Sequence, residues 1–256
     1  MKKTNKTSWE SSSKWYDESV GQKGHYYHEQ VILPKLLPLM DFGKILHAKV
    51  LDLGCGQGIL QREIPKETEY LGVDISKSLI QAAKSRCKNP KHSFIVADLT
   101  KRVDFPLKDF THACILLALQ NMSDPFALLM NASRHLIHGG KLFVVLNHPA
   151  FRIPRQTHWQ IDENKQIQYR RIDRYLSPLQ IPIQTHPGKG PESSKTWSFH
   201  FPLSFYSKWL YQAGMATLFI EEWISDKKST GSKAQMEDRA REEIPLFLTF
   251  VCQKIL

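Results

Sequence analysis

Asp52-Leu53-Gly54-Cys55-Gly56-Gln57-Gly58 places three glycines at alternate positions directly behind an apolar run. It overlaps Lys49-Val50-Leu51-Asp52-Leu53, a short apolar run of the kind a buried strand shows where it enters a loop. Glycines there admit positive φ angles and let a ligand approach the backbone without Cβ interference. In an open α/β sheet such a loop lies at the carboxyl end of its strand, where ligands bind. A dinucleotide fingerprint needs G-x-G-x-x-G, and counting from Gly54 or Gly56 puts Ile59 or Gln61 at the third glycine. A P-loop needs G-K-[ST], which is absent. The spacing therefore disfavours both NAD and ATP cradles.

The same strand shape recurs outward from this loop, in Tyr70-Leu71-Gly72-Val73-Asp74, in Ser93 to Asp98, in Thr111 to Leu119 and in Lys141 to Leu146. Between them, Ser76 to Lys88 carries Leu79, Ile80, Ala83 and Cys87 at helical spacing behind Ser76 as N-cap. Asp124 to Leu136 reads as a second helix, with Gly139-Gly140 as its C-cap signal. Apolar strands alternating with helices predict a parallel sheet covered on both faces. Ser204 to Ala213 is the next expected helix. Residues 216–224 and 245–252 are strand-like, and the charged segment Ser225 to Glu243 between them shows no long helical pattern. That arrangement predicts an antiparallel pair closing the sheet.

Two segments stand outside this rhythm. Residues 1–24 are polar and read as an arm or lid, followed by an amphipathic stretch, Tyr26 to Met40, interrupted by Pro34 and Pro38. Residues 150–201 are too long for a simple connection. There, His158 to Asp162 and Gln166 to Arg170 alternate around Glu163-Asn164-Lys165 as a hairpin, and Lys195 to Phe201 offers a third strand. The expected organisation is an arm with lid helices over 1–44, a core formed by 45–149 and 202–256, and an inserted cap over 150–201.

Composition bounds the function. The chain has 256 residues, 41% of them apolar, enough for a large core and too apolar for a disordered protein. Its longest apolar run, Ala113 to Leu119, is too short to cross a bilayer, and the basic first six residues lack a following signal-peptide core. Four scattered cysteines suggest neither a disulfide framework nor a zinc site, so no metal and a cytoplasmic setting are expected. The net charge is +10. Phe151 to His200 holds eight basic against four acidic residues and Met1 to Gly24 five against three, so the excess concentrates in cap and arm. An anionic or electron-rich partner follows.

D-x-G-x-G-x-G followed by acidic strand ends at Asp74 and Asp98 resembles the class I S-adenosylmethionine-dependent methyltransferases, of the type 11 and type 25 kind. The specific motifs cover roughly residues 45–150, and the terminal strand pair fits that family's reversed last hairpin. The resemblance implies a Rossmann-like, doubly wound, seven-stranded and mostly parallel sheet, with S-adenosyl-L-methionine as cofactor and S-adenosyl-L-homocysteine as product. It places Gly54, Cys55, Gly56, Gln57 and Gly58 beside the methionine part of the cofactor. Asp74 would accept the ribose hydroxyls, Ile75 would pack on the adenine, and Asp98 with Leu99 would meet the adenine edge. Asp52 would sit near the amino end or order the loop. Leu117 lies on the edge after the fourth strand that lines the cofactor. The alternative is that the two acids only cap helices and the glycines only turn the chain. Tyr16-Asp17 is similar to an N-terminal segment of quinone-type methyltransferases that folds over the cofactor, and Tyr16 is assigned there.

The acceptor side is less defined. Leu116 to Asn121 lacks the [DN]-P-P-[YFW] of adenine and glutamine N-methyltransferases, and no cysteine pair suits base-C5 chemistry. Asn121, with Arg152, Arg155, Trp159 and Tyr169 of the cap, is the expected acceptor-binding set, since arginine forks and aromatic faces hold flat anionic molecules. A histidine is the economical base for a hydroxyl or amine acceptor. His148, which opens the cap, and His25, from the lid, are the candidates. The expected function is methyl transfer to O, N or C of a small molecule. Its alternatives are an RNA methyltransferase using the basic arm and cap, and a non-catalytic subunit of the same fold.

Overall fold

The computed structural model describes residues 10, 13–21, 24–45, 47–184 and 195–256. The first nine residues of the expected arm, and residues 185–194 of the cap, lie outside them. A helix α1 (Ser13–Val20) precedes a π-helical turn (His28–Ile32) that runs into α2 (Leu33–Met40). The helix continues through Pro38, and Pro34 sits in its first turn. The prolines therefore do not interrupt the segment as its sequence suggested; the π turn adjusts the backbone ahead of them. Alternation then begins: β1 (Lys49–Leu53), β2 (Glu69–Asp74), α3 (Lys77–Arg86), β3 (His92–Val96), β4 (Phe110–Leu116), α4 (Pro125–His135) and β5 (Leu136–Asn147). Next come two hairpins, β6 (Thr157–Asp162) with β7 (Ile167–Ile172), and β8 (Leu179–Gln184) with β9 (Lys195–His200). The chain finishes with α5 (Leu203–Gln212), β10 (Met215–Trp223), α6 (Ala234–Glu243) and β11 (Phe247–Lys254).

Seven strands form one sheet in the order β10-β11-β5-β4-β1-β2-β3. β1 pairs in parallel with β2 and β4, as do β2 with β3 and β4 with β5, while β11 runs antiparallel to both β5 and β10. This is the doubly wound, mostly parallel architecture with a reversed terminal strand. Strand alternation sorts the core onto two faces. Leu51, Ile115 and Val144 turn to one face and meet Leu128, Leu129 and Ala132 of α4 and Leu210 of α5. Val50, Cys114 and Val145 turn to the other and meet Leu36 and Met40 of α2 and Ile80 and Ala83 of α3. Burying each large aliphatic side chain contributes about 1.5–3 kcal/mol, which holds the strand ends in fixed register.

Three local expectations are corrected. The segment before β11 does contain a ten-residue helix, α6, which buries only Met236 and Ala240 and so carries too narrow an apolar stripe to be seen. Its polar face is tied by Arg241 to Glu237 and Asp238. Gly139 and Gly140 do not cap α4, because the helix ends at His135 with Leu136 N–H bonded to the Ala132 carbonyl, and both glycines lie within β5. Finally, β9 does not extend the β6–β7 hairpin. It pairs with β8, a strand hidden in the sequence by Pro182, which stands opposite Trp197.

Candidate active site

The carboxyl ends of β1, β2, β3, β4 and β5 open into one cavity of about 410 Å³. Its floor is the glycine loop. Gly54 has φ +79°, and its N–H bonds the Val73 carbonyl at 2.7 Å, stitching the loop to the end of β2. A Cβ on Gly54 would come 2.4 Å from the Ala118 Cβ, so only glycine fits where this loop passes the one after β4. Asp74 stands where β2 ends. Its carboxylate accepts the Gly56 N–H at 3.0 Å and the Ser76 N–H at 2.9 Å, which fixes its orientation towards the cavity. Burial raises its pKa, and the backbone donors work against that rise.

Ile75 follows and is 42% exposed, a large apolar side chain standing in the cavity wall. Asp98, after β3, accepts Thr100 N–H and Oγ–H on one oxygen. Leu99, Leu117 and Asn121 complete this side, and Asn121 donates to the Leu117 carbonyl at 3.2 Å. Leu117 itself holds a left-handed φ of 52°.

The N-terminal segment forms the roof. Asp17 of α1 pairs with both Arg86 terminal nitrogens at 2.6 Å, and Glu10 accepts from Ser76 and Ser78 at the start of α3. These ties lay Tyr16 across the glycine loop, where a Gly56 Cβ would lie 3.9 Å from its hydroxyl. Burial, and then Asp74, push the Tyr16 phenol up to about 12, so it stays neutral. His25, Tyr27 and His28 also reach the cavity. The Tyr26 hydroxyl donates to Asp226 at 2.9 Å, and Lys227 lies over both Tyr26 and Tyr27, anchoring this turn to the segment after β10. His28 Nδ1 accepts the His25 backbone N–H, so its proton resides on Nε2. Burial, and then His25, depress the His28 imidazole to about 4.

The residues assigned from the sequence divide in two. Tyr16, Gly54, Gly56, Asp74, Ile75, Asp98, Leu99, Leu117, Asn121, His25 and Arg152 all line the cavity. The others lie behind it or away from it. Asp52 is 2% exposed and accepts the Tyr70 hydroxyl at 2.6 Å on one oxygen, while its Oδ1 has no partner. Cys55 is buried beneath the loop, Gly58 faces Phe94, and Gln57 Oε1 takes hydrogen bonds from Arg62 and Arg86.

His148 is 2% exposed and absent from the cavity wall. Its Nδ1 faces the N–H groups of Ala150 and Phe151, which puts the proton on Nε2, the atom 2.8 Å from Glu222 of β10. Burial lowers its pKa, against the pull of Glu222. Arg155 is exposed, Trp159 stacks under Arg170 at 5.1 Å, and Tyr169 donates to Gln160. None of these three lines the cavity.

Several wall residues were not assigned from the sequence: Trp15, Gln120, Ile183, Ser198 and Phe247. Gln120 adjoins Asn121, so proximity was a usable signal for it. Nothing local marks Ile183, Ser198 or Phe247, which reach the cavity from β8, β9 and β11.

Residues 51–144 match the family model described as a methyltransferase domain. The demethylmenaquinone methyltransferase of Tropheryma whipplei (strain Twist) is 35% identical over 104 residues, covering 40% of this chain and 43% of that protein. A ubiquinone biosynthesis O-methyltransferase of Coxiella burnetii (strain Dugway 5J108-111) is 31% identical over 98 residues, covering 37% and 41%. The chain thus spans about two fifths of the length of these curated relatives. In three dimensions it is similar to an S-adenosylmethionine-dependent methyltransferase from Mesorhizobium loti, with a TM-score of 0.64, 23% identity and coverage of 85% of this chain and 96% of the other.

Proposed function

We propose that this chain, a class I methyltransferase by fold and by its matched domain, transfers a methyl group from S-adenosylmethionine to a small-molecule acceptor. One observation carries the reading. The glycine loop and the two strand-end acids share a single cavity with cap residues Arg152, Ile183 and Ser198, so cofactor and acceptor subsites are continuous. The residues present suit the cofactor: Gly54 leaves no room for a Cβ, Asp74 is an oriented acceptor for two hydroxyls, and the exposed Ile75 is an apolar face awaiting cover. When bound, S-adenosylmethionine supplies an electrophilic methyl group on a sulfonium.

The chain's own task is alignment and water exclusion. Tyr16 covers the loop, while Leu116, Tyr27 and Phe247 give the cavity apolar walls. His28, neutral and with its proton on Nε2, serves as a hydrogen-bond donor to the acceptor. His25 is the side chain we assign to accept the acceptor's proton. His148 acts by fixing the turn that opens the cap. Two curated relatives, one named for demethylmenaquinone and one for ubiquinone biosynthesis, support a small-molecule acceptor. The cap arginines that an RNA-binding reading would use are partly spent within the cap: Arg170 bonds Phe151 and Thr157, and Arg171 pairs with Asp173. A cytoplasmic setting rests on the four free cysteines, and no helix among the described residues is long and apolar enough to cross a membrane.

Calorimetry with S-adenosylmethionine and S-adenosylhomocysteine tests the assignment. Both should bind, and Asp74→Ala should weaken binding at least tenfold. Absence of binding by the wild type overturns the proposal, and full affinity in Asp74→Ala overturns the role given to that carboxylate.

A further inference from the structure

Arg152 is the anomaly of the cap. The turn that launches it is held from three sides. His148 N–H bonds the Leu246 carbonyl, the His148 ring spans Glu222 and the Ala150 and Phe151 amides, and Arg170 Nε donates to the Phe151 carbonyl. The Arg152 backbone N–H closes the turn on the His148 carbonyl at 2.8 Å. Its side chain, by contrast, is exposed and lines the cavity, and its guanidinium has no hydrogen-bonding or ionic partner among the described residues. Surrounding protein lowers its pKa, Tyr27 works against that, and Arg170 is a like-charged neighbour. An unpaired guanidinium on a cavity wall is free to take an anion, and a carboxylate is a planar group that its fork matches with two parallel hydrogen bonds.

A second observation comes from the same stretch of wall. Gln120 is 9% exposed, and its Oε1 is buried with no donor. Gln120, Arg152, Pro154 and Ser198 together line both the main cavity and a small side pocket opening from the same wall. The Ser198 hydroxyl is committed to the Gln120 main-chain carbonyl, which leaves the Gln120 side-chain oxygen for a ligand donor. Tyr27, Leu116, Ile183 and Phe247 supply apolar surface around these two polar groups.

We infer that the acceptor is a small organic acid with an apolar, flat body, whose carboxylate is clamped by Arg152 and whose hydroxyl or amine donates to Gln120. This deepens the methyltransferase reading and rests on it. The names demethylmenaquinone methyltransferase and ubiquinone biosynthesis O-methyltransferase do not themselves specify an acid.

The test titrates benzoate, 3-hydroxybenzoate, 4-hydroxybenzoate and the neutral 4-hydroxybenzamide into the full chain saturated with S-adenosylhomocysteine, read by ligand-observed NMR. At least one hydroxybenzoate should bind tenfold or more tightly than the amide. Arg152→Gln should abolish that preference while leaving S-adenosylhomocysteine affinity within twofold. Gln120→Leu should erase the advantage of hydroxybenzoate over benzoate and leave benzoate itself unaffected. Equal binding of acids and amide, no binding by any acid, or a preference that survives Arg152→Gln overturns the inference. Failure of S-adenosylhomocysteine to bind in the first step overturns the underlying reading instead, so the two failures are separable.

Discussion

Replacing Gly54 by alanine isolates the steric condition on which the cavity floor depends. Two costs are built into the site. Gly54 sits at φ +79°, a left-handed conformation that costs an L-residue about 1–2 kcal/mol. Its new Cβ would lie 2.4 Å from the Ala118 Cβ, far inside a normal carbon contact, and overpacking of that kind costs about 1–3 kcal/mol. The loop cannot simply move away, because Gly54 N–H and Cys55 N–H both bond the Val73 carbonyl. Lost flexibility of the unfolded chain returns about 0.4–1 kcal/mol. The expected net loss is about 2–4 kcal/mol.

Gly56 is the control. It has φ +54°, but a Cβ there meets only the Tyr16 ring at 3.7 Å, an ordinary contact, so Gly56→Ala should cost about 1 kcal/mol or less. Ala118→Gly combined with Gly54→Ala removes the clash and leaves the backbone strain, and should recover about 1–3 kcal/mol of the loss. Urea unfolding of the four proteins, with m-values compared, measures all of this. Equal costs for the two glycine variants, or no recovery in the double variant, would refute the steric account.

Three further outcomes follow from the same geometry. Burial pushes the Asp52 carboxyl up to about 7, Tyr70 opposing and Asp74 reinforcing the shift. Its folded-state pKa lies above its unfolded value, so its stabilising contribution is complete below about pH 4 and is lost as pH rises towards 7. The stability of Asp52→Asn relative to wild type should therefore rise between pH 4 and pH 8 in urea unfolding, and a pH-independent difference would sink the assignment. Ser76 caps α3 through Leu79 N–H at 3.2 Å, and Ser76→Ala should cost about 1 kcal/mol in the same assay; a change under a few tenths would contradict the capping role. The Asp17–Arg86 pair is half-exposed, so Asp17→Asn should change global stability by less than about 1 kcal/mol. Because that pair lays Tyr16 over the loop, the dissociation rate of S-adenosylhomocysteine should rise severalfold in stopped-flow measurements, and an unchanged rate would remove α1 from the roof.

The parallel sheet, the glycine loop and the two strand-end acids were legible in the amino-acid order alone. Each of these is written in a few consecutive residues: apolar runs that only a doubly covered sheet can bury, a turn that only glycine can make, and Ser76 and Asp124 at the starts of α3 and α4. What it did not determine is which side chains meet across long separations. Arg152 and Arg155 look equivalent in the chain. Both are exposed, but a turn locked by His148, and by Glu222 74 positions later, sets the first on the cavity wall and leaves the second off it. His148 looked like a base for want of knowing that β10 would seal it. Ile183 was obscured by Pro182, and Phe247 reaches the cavity only because β11 inserts antiparallel beside β5, opposite Asn147. Local propensity sets where strands and turns fall, but the direction of a side chain is set by partners that only tertiary packing brings within reach.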